Sequence, residues 1–275
     1  MKKINLLLII FFSCQLGFGQ VTSNSIKYPV KDKQIIIDAQ EASLIIEGYN
    51  GNNIVIEPAI TTMQGQLPPE AAGLSLIASA IEKEDDIIHS EVLKNDVGVF
   101  SIRLLKSNCR HLHIMVPKDA YLKVSFANPW PDARVSFKNL SGVLEVEGSS
   151  QVMEFSYITG PLTLSANEAR PRTGVSEKIS ISNLQIPKSK NTGAVIPFLN
   201  ILTSYADVDI SLPGDTKATV QAIVPCGDLF TDLDLVSQPI SAPPPVKERY
   251  NGDLNGGGRV VAVHSTYGDV FIRKQ

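Results

Sequence analysis

Cys109, His111 and His113 occupy alternate positions in the segment Cys109-Arg110-His111-Leu112-His113. Side chains alternate across an extended chain, so on a strand these three share one face. A thiolate and two imidazoles arranged in this way are ligands for zinc or copper, although tetrahedral zinc takes a fourth ligand that the nearby sequence does not supply. The plainer alternative is the polar outer face of a strand whose other face is Leu112, Ile114 and Val116. Aspartates raise a second possibility. Asp228, Asp232 and Asp234 follow Gly227, and Asp207 and Asp209 share a strand face. Calcium takes about six to eight oxygens, usually from a spaced acidic loop, and no such loop occurs. Aspartates beside turns commonly serve the turn itself.

Trp130 is the only tryptophan and sits between Pro129 and Pro131. With Tyr121, Phe126 and Phe137 it is the one candidate ligand-binding residue, a flat apolar face on which a sugar stacks. The alternative is an aromatic that caps the core. Arg170 and Arg172, taken with the aspartates, are the only material for the carboxylate-and-base chemistry with which some β-solenoids cleave polysaccharides. No nucleophile-elbow motif occurs. Gly256-Gly257-Gly258 lacks the lysine and helix start of a phosphate loop. The expectation is a protein that is not an enzyme, with no catalytic, cofactor-binding or metal-binding residues assigned.

The elements that carry these residues are strands. Ser141-Gly142-Val143-Leu144-Glu145-Val146, Thr159-Gly160-Pro161-Leu162-Thr163-Leu164, Tyr205-Ala206-Asp207-Val208-Asp209-Ile210 and Tyr267-Gly268-Asp269-Val270-Phe271-Ile272 share one pattern. A small residue is followed by apolar residues two and four positions on. Gly98 repeats this with Phe100 and Ile102, and Gly51 repeats it one residue out of phase with Ile54 and Ile56. Each segment is a short strand with one apolar face, entered by a tight turn. The spacing is 18 residues from Gly142 to Gly160 and 21 from Ala206 to Gly227, and other gaps of 41, 44 and 46 are near twice that. A period of about 20 residues matches one coil of a β-solenoid, in which each coil buries its apolar face only against its neighbours. The fold expected is therefore all-β, a β-solenoid-like stack of short strands, with a β-sandwich as the alternative. Only Pro69 to Glu84 has helical spacing, with Leu74, Ile77 and Ile81. Segments Asn167 to Thr173, Pro187 to Gly193 and Pro239 to Pro245 break the repeat as loops.

The chain opens with Lys2 and Lys3, seven apolar residues from Leu6 to Phe12, and Gly17-Phe18-Gly19. A basic start, a short apolar core and small residues at the cleavage positions predict a signal peptide over 1–19. Residues 20–275 read as a single elongated strand-repeat domain with its best repeats over 98–275. Cys14, after Phe11-Phe12-Ser13, is a competing processing site at which lipidation would anchor the protein. No later segment has the length and hydropathy of a transmembrane helix. Losing the two lysines takes the formal charge from −3 to −5. Without a basic stripe, neither nucleic acid nor an anionic lipid surface is expected as a partner. Cys109 and Cys226 remain, 117 residues apart. An oxidising compartment permits a bridge between them, and two buried thiols are the other expectation.

Asn255-Gly256-Gly257-Gly258, Val260 to Val263 and the ending Ser265-Thr266-Tyr267-Gly268-Asp269-Val270-Phe271-Ile272-Arg273-Lys274 resemble the C-terminal part of the bacterial "putative adhesin" family. Ile210-Ser211-Leu212-Pro213-Gly214-Asp215 and Ile114-Met115-Val116-Pro117-Lys118 share its strand–proline–turn rhythm. The resemblance is best over about 200–275 and diffuse over 100–165, and Ala206 departs from it where a glycine is usual. It implies a right-handed β-solenoid-like fold and an envelope location, periplasmic, on the outer membrane or secreted. Its motifs are turn and strand chemistry, so no functional residue is carried over. The function expected is adhesin-like binding or scaffolding, with a protein or a glycan as partner. The alternatives are a polysaccharide-active enzyme on the same fold and a lipid-anchored sensor or assembly partner.

Overall fold

The computed structural model describes residues 21–23, 25–30, 34–40, 43–59, 88–94, 99–104, 111–127, 133–150, 152–166, 177–187, 197–239 and 248–275. The signal segment with Cys14, the helical spacing of 69–84, Gly98, Cys109, Trp130 and the arginines at 170 and 172 lie outside the described residues, as do most of the three loop segments. All the described structure is β, and no helix among the described residues is long and apolar enough to cross a membrane.

The strands are β1 Val21–Ser23, β2 Ile26–Pro29, β3 Gln34–Gln40, β4 Ser43–Tyr49, β5 Asn53–Pro58, β6 Ile88–Lys94, β7 Val99–Leu104, β8 His111–Pro117, β9 Tyr121–Ala127, β10 Arg134–Lys138 and β11 Leu144–Ser149. They continue as β12 Val152–Ser156, β13 Leu162–Ala166, β14 Lys178–Ser182, β15 Leu199–Thr203, β16 Asp207–Leu212, β17 Ala218–Ile223, β18 Leu229–Thr231, β19 Val236–Pro239, β20 Glu248–Leu254, β21 Arg259–Ser265 and β22 Val270–Lys274. They form two mixed sheets. The first runs β1-β6-β7-β3-β9-β11-β13-β15-β21-β17-β20-β19, and the second β18-β22-β16-β14-β12-β10-β4-β8-β5-β2.

From β9 to β16 the chain alternates between the sheets, and each strand pairs in parallel with the strand two places on. That is a stack of coils, one strand in each sheet per coil. The solenoid and sandwich expectations meet here, because the coils produce two sheets that face each other across one core. The register places like residues in columns. One column runs Phe100, Ile35, Leu122, Leu144, Leu162, Leu199, Val261 and Val220, all buried in the first sheet. Its counterpart in the second sheet runs Leu112, Leu44, Val135, Met153, Ile179, Val208 and Val270. Leu144, Leu162, Val208 and Val270 therefore line one shared interior, as the repeat requires. Deeper in the second sheet Phe137 and Phe155 stack at 4.9 Å with their planes 5° apart. That distance is the spacing of neighbouring strands, so register alone produces the stack.

Coil order is not chain order at either end. β3/β4 lies between β7/β8 and β9/β10, and β21/β22 lies between β15/β16 and β17/β18. The chain therefore skips one coil twice, from β8 to β9 and from β16 to β17. Both skips use the strand–proline–turn segments. Ala120 N donates to Pro117 O at 3.1 Å, and Thr216 N donates to Pro213 O at 2.9 Å, each closing a four-residue turn. Beyond the coils, antiparallel strands cap the stack: β6 and β1 on the first sheet, β5 and β2 on the second, and β20 and β19 at the other end of the first.

The structure corrects two readings of the periodicity. Ile54 and Ile56 after Gly51 belong to no coil, because β5 runs antiparallel to β8 and closes the sheet. The gaps of 41 to 46 residues are not two plain coils either. Gly142 and Gly160 sit where chain enters the first sheet, while Ala206, Gly227 and Gly268 sit where it enters the second, so the 46-residue gap from Gly160 joins two different corners. Each corner is tight. A Cβ on Gly160 would lie 1.9 Å from Gly142 O, and one on Gly268 would lie 2.0 Å from Ala206 O.

Candidate functional site

Three copies of a short repeat, stacked in neighbouring coils, build a distinctive surface among the described residues. Tyr205-Ala206-Asp207-Val208-Asp209-Ile210 and Tyr267-Gly268-Asp269-Val270-Phe271-Ile272 are stacked in neighbouring coils. Cys226-Gly227-Asp228-Leu229-Phe230-Thr231 lies beyond them in the terminal coil. Stack order is thus 205, 267, 226, and every position of the repeat becomes a ladder across the second sheet.

Val208, Val270 and Leu229 turn inward, so their neighbours turn outward. In the aspartate ladder Asp207 Oδ1 accepts from Asp269 N at 2.9 Å, and Asp269 Oδ1 accepts from Asp228 N at 2.9 Å. Each carboxylate caps the amide just before the strand above it, which is the job an aspartate does at a turn. In the next ladder Phe271 and Phe230 stack at 4.8 Å with planes 9° apart. Arg273 lies over the Phe271 ring at 5.8 Å and pairs with Asp209 at 2.9 Å. The other Asp209 oxygen is covered and has no partner among the described residues. At the corner Tyr205 and Tyr267 stack at 4.9 Å, and Cys226 takes the third place. Such parallel aromatic pairs are each worth about 0.5–1.5 kcal/mol beyond area burial.

Cys226 is a free thiol and is exposed, contrary to the expectation of burial. Its place in an outward-facing tyrosine ladder is the reason. Phe230 is 48% exposed and Tyr267 55%, and Val236, on β19 at the same end of the first sheet, is 65% exposed. With Val143, Tyr157 and Leu202 these are all the exposed large apolar side chains among the described residues, so three of the six gather at one end of the stack.

Three of the five aspartates singled out from the sequence have carboxylates engaged within the protein, while Asp228 takes part through its amide and Asp234 is exposed. Asp207 and Asp228 belong to the capping ladder, Asp209 is paired with Arg273, and Asp232 accepts from Lys274 N at 3.0 Å. Among the described residues no group of three or more histidine, cysteine, aspartate and glutamate side chains is arranged to hold a metal ion.

His111 and His113 do share the outer face of β8, opposite the buried Leu112, Ile114 and Val116. The partners of His113 are not visible in the sequence. Its Nδ1 lies 3.2 Å from Glu57 Oε1, and its Nε2 lies 3.1 Å from Glu47 Oε2. Glu47 also meets Lys138 Nζ at 3.0 Å and Asn139 Nδ2 at 3.1 Å. Partial burial pushes the Glu47 carboxyl up, but Lys138, His113 and Asn139 together outweigh this and hold it below the ordinary carboxylate range. This row ties the antiparallel cap strand β5 to β8, β4 and β10, a structural role.

The chain matches no family model, and no curated protein matches it. Among solved structures it is similar to a putative cell adhesion protein from Clostridium sporogenes, with 10% identity and a TM-score of 0.35 over 91% of this chain and 99% of that one.

Proposed function

We propose that this protein is an exported, non-catalytic component of a bacterial cell envelope, an adhesin-like binding or scaffolding module whose contact surface is the C-terminal end of the second sheet. The observation that carries this is the exposure of Phe230 and Tyr267 on neighbouring strands at that end, on a stack whose inner apolar columns are buried. Contiguous exposed apolar surface rimmed by charge is characteristic of sites that meet a partner. A stack of coils also suits the role mechanically, because it holds such a surface on a long rigid support. Export rests on the opening Lys2-Lys3, the apolar run Leu6 to Phe12 and the small residues at 17–19.

The test uses residues 20–275, purified and immobilised, against protein and glycan components of the envelope. Saturable binding that falls when Phe230 and Tyr267 are both changed to Ser supports the proposal. Release of reducing ends from a polysaccharide by the same preparation would overturn it in favour of an enzyme. Fractionation of the full chain, with and without Cys14→Ala, tests the compartment. Recovery in the cytoplasm sinks export, and release from membrane only in the variant favours the lipid anchor.

A further inference from the structure

We propose that the free edge of β18 is a strand-addition site. Its occupant is an extended segment of a protein partner, parallel to β18, with an aromatic residue followed two positions later by a basic one. The inference rests on the binding-module reading and specifies its partner.

β18 pairs with β22 on one side only, and among the described residues no strand lies on its other side. Val270 N donates to Asp228 O at 2.9 Å, so the Asp228 carbonyl faces β22. Backbone groups alternate along a strand, so those of Phe230 face β22 as well. The N–H and C=O of Leu229 and Thr231 therefore point to the open edge. An edge with unmatched donors and acceptors is a template for another strand.

Proteins usually blunt such edges, and this one blunts the opposite end of the same sheet. There β2 carries exposed Lys27 and Pro29. β18 has neither lysine nor proline and presents Phe230 instead.

Two ladders stop at β18, and they and the charge that follows it specify what the next strand brings. Asp207 and Asp269 each accept the amide just before the strand above, and Asp228 has no described strand above it. A parallel strand in the same register supplies that amide. Phe271 stacks on Phe230, which is half exposed in the terminal coil, so an aromatic at the matching position extends the stack. Beyond the last paired row, Asp232, whose carboxylate accepts from Lys274 N, and Asp234 are both exposed and end the edge in negative charge. Opposite charges favour cross-strand pairing, so a basic residue belongs there.

The same rows argue against a second copy. Pairing two β18 edges antiparallel about Phe230 would set Asp228 of each copy against Asp232 of the other, a destabilising like-charge contact. Stacking β2 of one copy on β18 of another would offer Pro29, which has no amide to donate.

The experiment measures fluorescence anisotropy of a labelled peptide, Gly-Ser-Ser-Val-Phe-Thr-Lys-Thr-Gly, titrated with residues 20–275. Saturable binding is expected, weakened about tenfold by Phe230→Ala, as for loss of one aromatic hot spot. Thr231→Pro removes an edge donor without touching the β22 ladder and is expected to abolish binding, with an unchanged circular dichroism spectrum as the folding check. Asp232→Lys is expected to reverse the preference, so that a peptide with Glu in place of Lys binds better. Unaltered binding to Thr231→Pro, absence of binding to the unaltered protein, or a dimer in sedimentation that Phe230→Ala dissociates would each overturn the proposal. If the peptide fails while envelope components still bind, only strand addition falls. If the peptide binds and no envelope component does, the binding-module reading falls instead.

Discussion

Tyr157 has φ of 55°, in the left-handed region, and so do Asn139 at 60° and Asn183 at 52°. The three occupy one corner in three successive coils, each just after a strand of the second sheet. The geometry is required. Phe155 faces inward and Ser156 outward, and a left-handed residue at 157 lets Ile158 turn inward again, as Leu140 and Leu184 do in the coils on either side. Asparagine tolerates this region, whereas other residues with a Cβ lose about 1–2 kcal/mol there. Changing Tyr157 to Asn, Ala and Gly separates the backbone term from the ring. All three variants lose the same half-exposed ring, so differences among them report the corner. Asn is expected to exceed Ala by about 0.5–1 kcal/mol. Gly is also expected to exceed Ala by about 0.5–1 kcal/mol, since its relief at φ > 0 is partly offset by greater unfolded-state freedom. The reciprocal change, Asn139→Ala, should destabilise by about 1 kcal/mol, with a further loss from the bond to Glu47. The assay is urea unfolding at constant m-value, together with thermal midpoints, for which 1 kcal/mol moves Tm by about 2–4 °C in a domain of this size. Equal stability of Tyr157→Ala and Tyr157→Asn would refute the account of the corner.

Phe155→Ala removes half of the buried Phe137 stack and should lower stability by about 3–5 kcal/mol in the same unfolding assay. Gly160→Val places carbon against the Gly142 carbonyl and should abolish cooperative unfolding, while Gly256→Ala, where a Cβ meets nothing within 4 Å, is limited to the penalty of its φ of 83°. Stability should respond to both pH extremes. Glu47 has a depressed folded pKa, so its contribution is complete above the ordinary value of 4.5 and fades as pH falls through the lower folded value. Tyr121 is the opposite case, because its bond to Glu145, then burial and the Glu145 charge, push its phenol up to about 12. That contribution is complete below pH 10 and fades as pH rises through about 12, and Glu47→Gln and Tyr121→Phe should each flatten one limb of a pH–stability profile. Deleting 259–275 withdraws Val261, Val263, Val270 and Ile272 from the middle of the stack. At about 1.5–3 kcal/mol per buried side chain, that loss should open β17 to β20 to hydrogen exchange while β9 to β14 stay protected.

The strands and their inward faces are legible in the sequence because a period of two leaves few alternatives for Leu144/Val146 or Val208/Ile210. Coil order is not legible, because pairing between distant segments leaves no local mark. Val116-Pro117-Lys118-Asp119 and Leu212-Pro213-Gly214-Asp215 share a rhythm, yet nothing in them says that the chain skips a coil. The ladder site is half legible. The repeat at 205 and 267 stands out, whereas Asp228 reads from the sequence only as one of a group of acidic residues. That Cys226 to Thr231 is a third copy shows only in the spacing of Gly227 from Ala206 and Gly268, because Cys226 replaces the tyrosine and Thr231 the inward isoleucine. Those substitutions are the ones a terminal coil requires: a polar residue where the interior ends, and no partner ring at the corner.

The inverted coil order bears on how the contact surface is held. β17 and β18 do not rest on the coil that precedes them in sequence but on β21 and β22, the last strands of the chain. The backbone amides of Cys226 and Val270 and the carboxylate of Asp269 all bridge these two segments. The edge at β18 therefore exists only once the C-terminal strands have entered the gap left at Pro213, and a chain still lacking them has no ordered Phe230 stack to present. A surface proposed to capture a strand, which would be an aggregation hazard on an incomplete chain, is in this way tied to closure of the rest of the stack.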